Sequence, residues 1–221
     1  MTTTKRRGRP RADDAPAALP DILSKALKMF AAHGFDGTSV AELNRELGVS
    51  HNLIHQRFGS KEGLWHAAVD AAFAEVAEQV TIDAALAETD LLEAVRRAVR
   101  QFLVFHAHHP ELLRLVTVEG ANPSPRLTHL YEAHVQPIYA RLTAPLKTLV
   151  DTGVLSSADV RSLHFLVAHG ATAPFSLLPF SRLLESADDP TSPAAIEHHA
   201  EFVADLLVNG LRSRIAEAEN Q

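Results

Sequence analysis

The stretch Ser39–Phe58, SVAELNRELG VSHNLIHQRF, constrains the fold of this chain more than any other. Ser39 with Glu42 three residues on is the pattern of a capping box that opens a helix. Gly48 supplies the backbone freedom of a sharp helix–helix turn. Ser50 is placed to cap a second helix, His51 to Phe58. Val40, Leu43, Leu47, Val49, Ile54 and Phe58 have the spacing of one small shared core, which leaves His51, Asn52, His55, Gln56 and Arg57 outside it. A second helix with a polar outer face suits insertion into a DNA major groove.

Local signals extend the helical pattern in both directions. Ile22, Leu23, Leu27 and Phe30 give an apolar face from Asp21 to His33. Gly34 ends that helix and Phe35 folds back, as at a glycine C-cap. Ser60-Lys61-Glu62 opens a fourth helix with Leu64, Trp65, Ala68, Val69, Ala72 and Phe73 on its inner side. From Leu91 onward every apolar period is helical: Leu91 to His108, then a short helix from Pro110, then a loop from Gly120 to Pro125. A long helix from Arg126 to about Thr152 contains Pro137 and Pro145, so kinks are predicted there. Helices follow over about 159–173 and 194–215. No window alternates like a strand for long, and the predicted fold class is all-α.

Charge divides the chain. Residues 1–66 carry 10 Lys/Arg against 7 Asp/Glu, whereas residues 67–221 carry 11 against 20. A basic end on an acidic body points to a polyanion partner for the first third only. Residues 1–20 lack an apolar period and are expected to be a disordered basic arm. Within it, Arg7-Gly8-Arg9-Pro10 resembles the core of an AT-hook, whose thin extended Arg-Gly-Arg lays into a narrow minor groove. The alternative is a basic tail making non-specific phosphate contacts. Cysteine is absent, which excludes disulfides and thiolate chemistry and fits a reducing compartment. The N-terminus lacks the apolar core of a signal peptide, and the apolar stretch from Phe165 to Phe180 is short and broken by Pro174 and Pro179. A cytoplasmic protein with no membrane partner is expected.

Taken in order, the Phe30…Gly34-Phe35 helix end, Thr38-Ser39, Leu47-Gly48-Val49-Ser50, Phe58 and Ser60-Lys61-Glu62 with Leu64 resemble the TetR family of transcriptional regulators. The resemblance is strong over about residues 22–65 and architectural beyond residue 75. It implies a helix-turn-helix DNA-binding domain at 21–66 and a helical ligand-binding and dimerisation domain at 67–221. It further implies a homodimer, most readily a repressor, that a small-molecule effector releases from a palindromic operator in double-stranded DNA. The last two long helices of each subunit would form a four-helix bundle, with Gly170, Ala171 and Gly210 permitting close approach. Three positions depart from the family pattern: Asn44 stands for a small Ala, Leu53 for Thr or Ser, and His55 for a Tyr that commonly touches phosphate.

At the DNA, Ser39, Ser50, His55 and Lys61 are expected mainly at phosphates; Lys61 sits in the first turn of its helix, where free amides also favour anions. His51, Asn52, Gln56 and Arg57 are candidates for base edges, Asn and Gln suiting adenine and Arg suiting guanine. Arg57 could instead reach a phosphate, and Arg45 could touch the backbone from its own helix. In the body, Phe102, Phe105, His106, Leu113, Val116, Tyr131, His134, Phe165 and His169 are candidates for a mostly apolar pocket. No metal site is expected: His106 and His109, three apart, could share a helix face, but Pro110 ends that helix near them, and His164 and His169, five apart, do not align on one face. No motif asks for a cofactor. Phosphate-loop, nucleophile-elbow and zinc-protease motifs are absent, which disfavours an enzyme. An architectural DNA-binding protein without a ligand is the remaining competitor.

Overall fold

The computed structural model describes residues 18–48, 52–184 and 189–220. Among them there is no strand. Helix α1 (Leu19–Gly37) opens with Pro20 and Asp21 in its first turn and buries Ile22, Ala26, Leu27, Phe30 and Ala31 along one stripe. At Gly34 the backbone leaves the helix, with φ 71° and ψ 168°. Phe35 then stacks back on Phe30 at 5.9 Å, as the glycine cap predicts.

The capping signals at Ser39, Gly48 and Ser60 act where the sequence places them, whereas the helix expected from His51 begins at Leu53 behind Asn52, with Ser50 outside the described residues. The Ser39 hydroxyl accepts the Glu42 amide at 3.1 Å and opens α2 (Val40–Leu47). Gly48 closes α2 in the left-handed conformation, φ 64°. After α3 (Leu53–Phe58), the Ser60 hydroxyl accepts the Gly63 amide at 3.0 Å and opens α4 (Lys61–Gln79). A β-carbon on Gly63 would lie 2.0 Å from the Phe58 carbonyl oxygen, so glycine alone lets the end of α3 sit against the start of α4.

Side chains of α1–α4 form a first core around Phe30, Leu43, Ile54, Leu64, Trp65 and Val69, all 0–1% exposed. That core continues into the body through Phe105, Leu112, Leu115 and Leu130. The expected boundary at residue 66 falls inside α4, which runs unbroken from the first three helices, the reading unit of the expected DNA-binding domain, into the body. Helices α5 (Ala84–Thr89), α6 (Leu91–His108) and α7 (Pro110–Gly120) follow, with α7 packed along α1.

The single long helix expected from Arg126 is broken at the two prolines. It consists of α8 (Pro125–His129), a π-helical turn (Leu130–Val135), α9 (Gln136–Thr143), a 3₁₀ turn (Ala144–Leu146) and α10 (Lys147–Asp151). Pro137 and Pro145 donate no backbone hydrogen bond, so the helical register loosens before the first and tightens around the second. The chain continues through α11 (Ser157–Phe165), a second π turn (Leu166–Ala171), α12 (Ala173–Ser176), α13 (Leu178–Leu184) and α14 (Pro193–Glu219).

A second core lies between α6, α10, α11 and α14, with Leu103, Ala200 and Ala204 fully buried. The two alanines let α14 lie close on α6. Beside this seam, Arg96 pairs with Glu201 and, at 3.0 Å, with Asp205. Arg100 pairs with Glu197 and, at 2.9 Å, with Glu201. Exposed pairs of this kind contribute about 0–1 kcal/mol each, so apolar packing holds the helices together and the charges set their register. No single described helix is long and apolar enough to cross a membrane.

Candidate nucleic-acid interface and body cavity

Helix α3 presents the expected polar face. Ile54 is buried, Leu53 and Phe58 are half-buried against the first core, and Asn52, His55, Gln56 and Arg57 are exposed. Leu53 therefore packs where a Thr or Ser would offer a hydroxyl. Asn52 caps the helix by backbone alone, so its amide makes no cap bond. Ser50 and His51 lie outside the described residues, as do Arg7, Arg9 and the rest of the arm. Ser39 is engaged as a helix cap. Arg45 is exposed and faces Glu42 at 4.0 Å and Glu46 at 3.7 Å. Asn44 is buried rather than turned outward.

Lys61, expected at a phosphate, is engaged within the chain. Its ammonium donates to the Phe35 carbonyl at 2.8 Å and the Thr38 carbonyl at 2.9 Å, and lies 4.1 Å from the centre of the Phe35 ring. The cation closes the loop between α1 and α2, where carbonyls at a helix end attract it. The Arg126 guanidinium stacks on the same ring at 4.0 Å and pairs with buried Glu119 at 3.2 Å. Phe35 thus joins a cation of the reading unit to a cation of the body.

Between the helices of the body is a cavity of about 150 Å³. Phe102, His106, Leu113, Val116 and His169 line it, as expected. Phe105, Tyr131, His134 and Phe165 do not. Phe105 is turned round α6 from Phe102 into the first core. Leu130 takes the inward position of its turn, which leaves Tyr131 51% exposed. Phe165 is 56% exposed on the surface of α11. His134 turns to Asp70 on α4, its Nε2 2.7 Å from Oδ1.

Residues that the sequence did not assign to the pocket complete the wall. Phe73 and Val76 come from α4, Tyr139 from α9, and Leu163 and His164 from α11. Their apolar helical spacing was visible, but its convergence on one space was not.

Burial drives the chemistry of the cavity histidines. His106 is pushed down to about 4 by desolvation, against the favourable hydrogen bond to a carbonyl. It is neutral at pH 7, with Nδ1 2.8 Å from the Phe102 carbonyl oxygen. That contact places the proton on Nδ1 and leaves Nε2 as an acceptor. His164 is lowered by burial and by neighbouring His169, and His169 by burial. The cavity is therefore apolar, uncharged and supplied with imidazole acceptors.

Residues 22–68 match the family of bacterial regulatory proteins, tetR family, and residues 92–207 match the tetracyclin repressor-like C-terminal domain. The HTH-type transcriptional repressor SCO4008 of Streptomyces coelicolor is 31% identical over 180 residues, covering 80% of this chain and 88% of that protein. The chain belongs to the TetR family. It is a DNA-binding transcriptional regulator, and ligand responsiveness is typical of its family. The fold agrees with two solved TetR-like structures. PfmR from Thermus thermophilus superposes with a TM-score of 0.56 at 23% identity, covering 85% of this chain and 93% of that one. HlyIIR, a hemolysin II transcriptional regulator, does so with a TM-score of 0.56 at 20% identity, covering 81% and 93%.

Proposed function

We propose that the chain works in the cytoplasm as a homodimeric repressor, released from a palindromic operator when a small apolar molecule enters the body cavity. The observation that carries this reading is the double duty of α4. Its first turn follows the reading helix directly, and Phe73 and Val76 farther along it form part of the cavity wall. An occupant that favours a displaced α4 shifts the population away from the DNA-bound arrangement. A cavity of this size admits a benzene-like ring. The neutral His106 favours a ligand that brings one hydrogen-bond donor.

Dimerisation is supported by exposed apolar surface on the body. Phe165 and Leu166 on one segment, and Phe202 and Leu206 on α14, are 56–59% exposed. Exposed Gly210 continues the α14 stripe with open space above it. A two-fold dimer through this face would present two α3 helices to half-sites about 34–36 Å apart. Asn52, Gln56 and Arg57, with His51, are proposed at base edges; His55, Ser39, Ser50 and Arg45 are proposed at phosphates. Arg7 and Arg9 would add contacts from the arm.

Selection of bound duplexes from a random pool at near-physiological salt tests this reading. A palindrome should emerge, and small aromatic alcohols should lower affinity for it. Binding without a preferred sequence that vanishes as salt rises would favour an architectural protein.

A further inference from the structure

We propose that Asp70, His129 and His134 form a binding site for a late first-row divalent metal ion such as Zn²⁺, joining α4 to the body. His129 and His134 are five residues apart, which on an α-helix would turn them about 140° from each other. The π turn Leu130–Val135 begins directly after His129 and contains His134, and its i→i+5 register brings positions five apart onto one side. Both imidazoles then converge on one carboxylate oxygen. Nε2 of His129 is 2.8 Å and Nε2 of His134 is 2.7 Å from Asp70 Oδ1. The three donor atoms lie within 4.8 Å of one another.

The rings are held in place by packing. His129 stacks on His66 at 4.4 Å between centroids, and His134 stacks on Phe73 at 5.3 Å. Two imidazoles and one carboxylate suit Zn²⁺, with water in the fourth tetrahedral position. Bonds of about 2.0–2.2 Å place tetrahedral donors about 3.3 Å apart, so each Nε2···Oδ1 pair need open by only about half an ångström. Asp70 is half-exposed, which leaves room for ion and water to enter.

The site is separate from the cavity yet touches it, because Phe73 contacts His134 and also lines the cavity wall. An ion here would fix α4 against α8 and its π turn, whatever occupies the cavity.

Titration of the metal-free full-length chain with Co²⁺ and Zn²⁺, without DNA, tests the site apart from any regulatory role. One Co²⁺ per chain should bind with visible d–d absorption and be displaced by Zn²⁺. Zn²⁺ at a hundredfold excess over its Kd should raise Tm by about 5–10 °C. His129→Gln and His134→Gln, checked for native helical content, should each weaken Co²⁺ binding at least about 100-fold, beyond what loss of an outer partner does. Asp70→Asn should do the same, while His33→Gln and His198→Gln, at exposed positions elsewhere, should bind as the parent does. Absence of binding at micromolar ion, or binding retained in both folded histidine variants, overturns the proposal.

Discussion

Around Phe30 and Trp65 the first core closes on residues that are entirely buried, whereas a cavity of about 150 Å³ opens where the two cores meet, its wall taking Phe73 and Val76 from the first and Val95, Val99 and Leu211 from the second. The first sets the short α2 and α3 between α1 and α4, with ends fixed by Ser39, Gly48, Ser60 and Lys61. The second joins the long α6 and α14 to short segments broken by π turns and prolines, and neutral His106 stands in the cavity wall. Close packing transmits displacement, and a void gives a ligand somewhere to act. The reading unit is thus the stiff partner and the body the compliant one, with α4 common to both.

That contrast can be broken most readily at Gly63. Gly63→Ala drives a β-carbon onto the Phe58 carbonyl and should destabilise the chain by about 2–4 kcal/mol. Urea unfolding measures this, and a loss below about 1 kcal/mol would mean that the head yields more than its packing implies.

The body should show its own weakness as pH falls. His106 has a folded pKa of about 4, below the ordinary value of 6.5. The unfolded chain therefore takes up the proton first, and stability is lost as pH drops from about 6.5 towards 4. Between pH 6.5 and pH 5 the loss from this residue should be about 2 kcal/mol. His106→Leu should remove that part of the pH dependence in urea titrations at pH 7, 6 and 5. An unchanged slope would assign it elsewhere.

The same substitution in the two cores sharpens the comparison. Val69→Leu, in the closed core, should cost about 1–3 kcal/mol. Val99→Leu, at the cavity wall, should stay within about 0.5 kcal/mol of the parent, because the added methylene enters existing space. Equal costs in thermal unfolding would erase the distinction between a stiff and a compliant region.

Smaller effects separate support from recognition within the head. Lys61→Ala should cost about 1–2 kcal/mol of stability by removing two carbonyl contacts and a ring contact. Its DNA binding should keep the parental salt slope. A slope reduced by about one would return Lys61 to a phosphate. Arg57→Ala should leave stability within about 0.5 kcal/mol and change affinity or base preference at the operator.

Much of the reading unit was legible in the chain itself. The ends of α1 at Gly34, of α2 at Ser39 and Gly48, and the start of α4 at Ser60 follow from caps that act over three or four residues. The breaks near Pro137 and Pro145 follow from a missing amide. The cavity was half legible. Phe102 and His106 share a face by helical spacing, but Phe105 lies round the helix in another core, and Tyr139 and His164 meet only when α9 and α11 pack.

What the sequence determined by itself is the local grammar of the first four helices: the ends of α1 and α2, the start of α4, and which side of α3 stays polar, though not where α3 begins. Those outcomes depend on groups within one or two turns of each other. The tertiary structure alone decided that Lys61 closes the loop at Phe35, that α4 joins the reading unit to the cavity, and that Asp70 meets His129 and His134. These contacts span 26, 59 and 64 residues, and the last pair also needs a π register. Side chains so far apart in the chain carry no mutual spacing to read; only packing of the helices that hold them sets the distance between them.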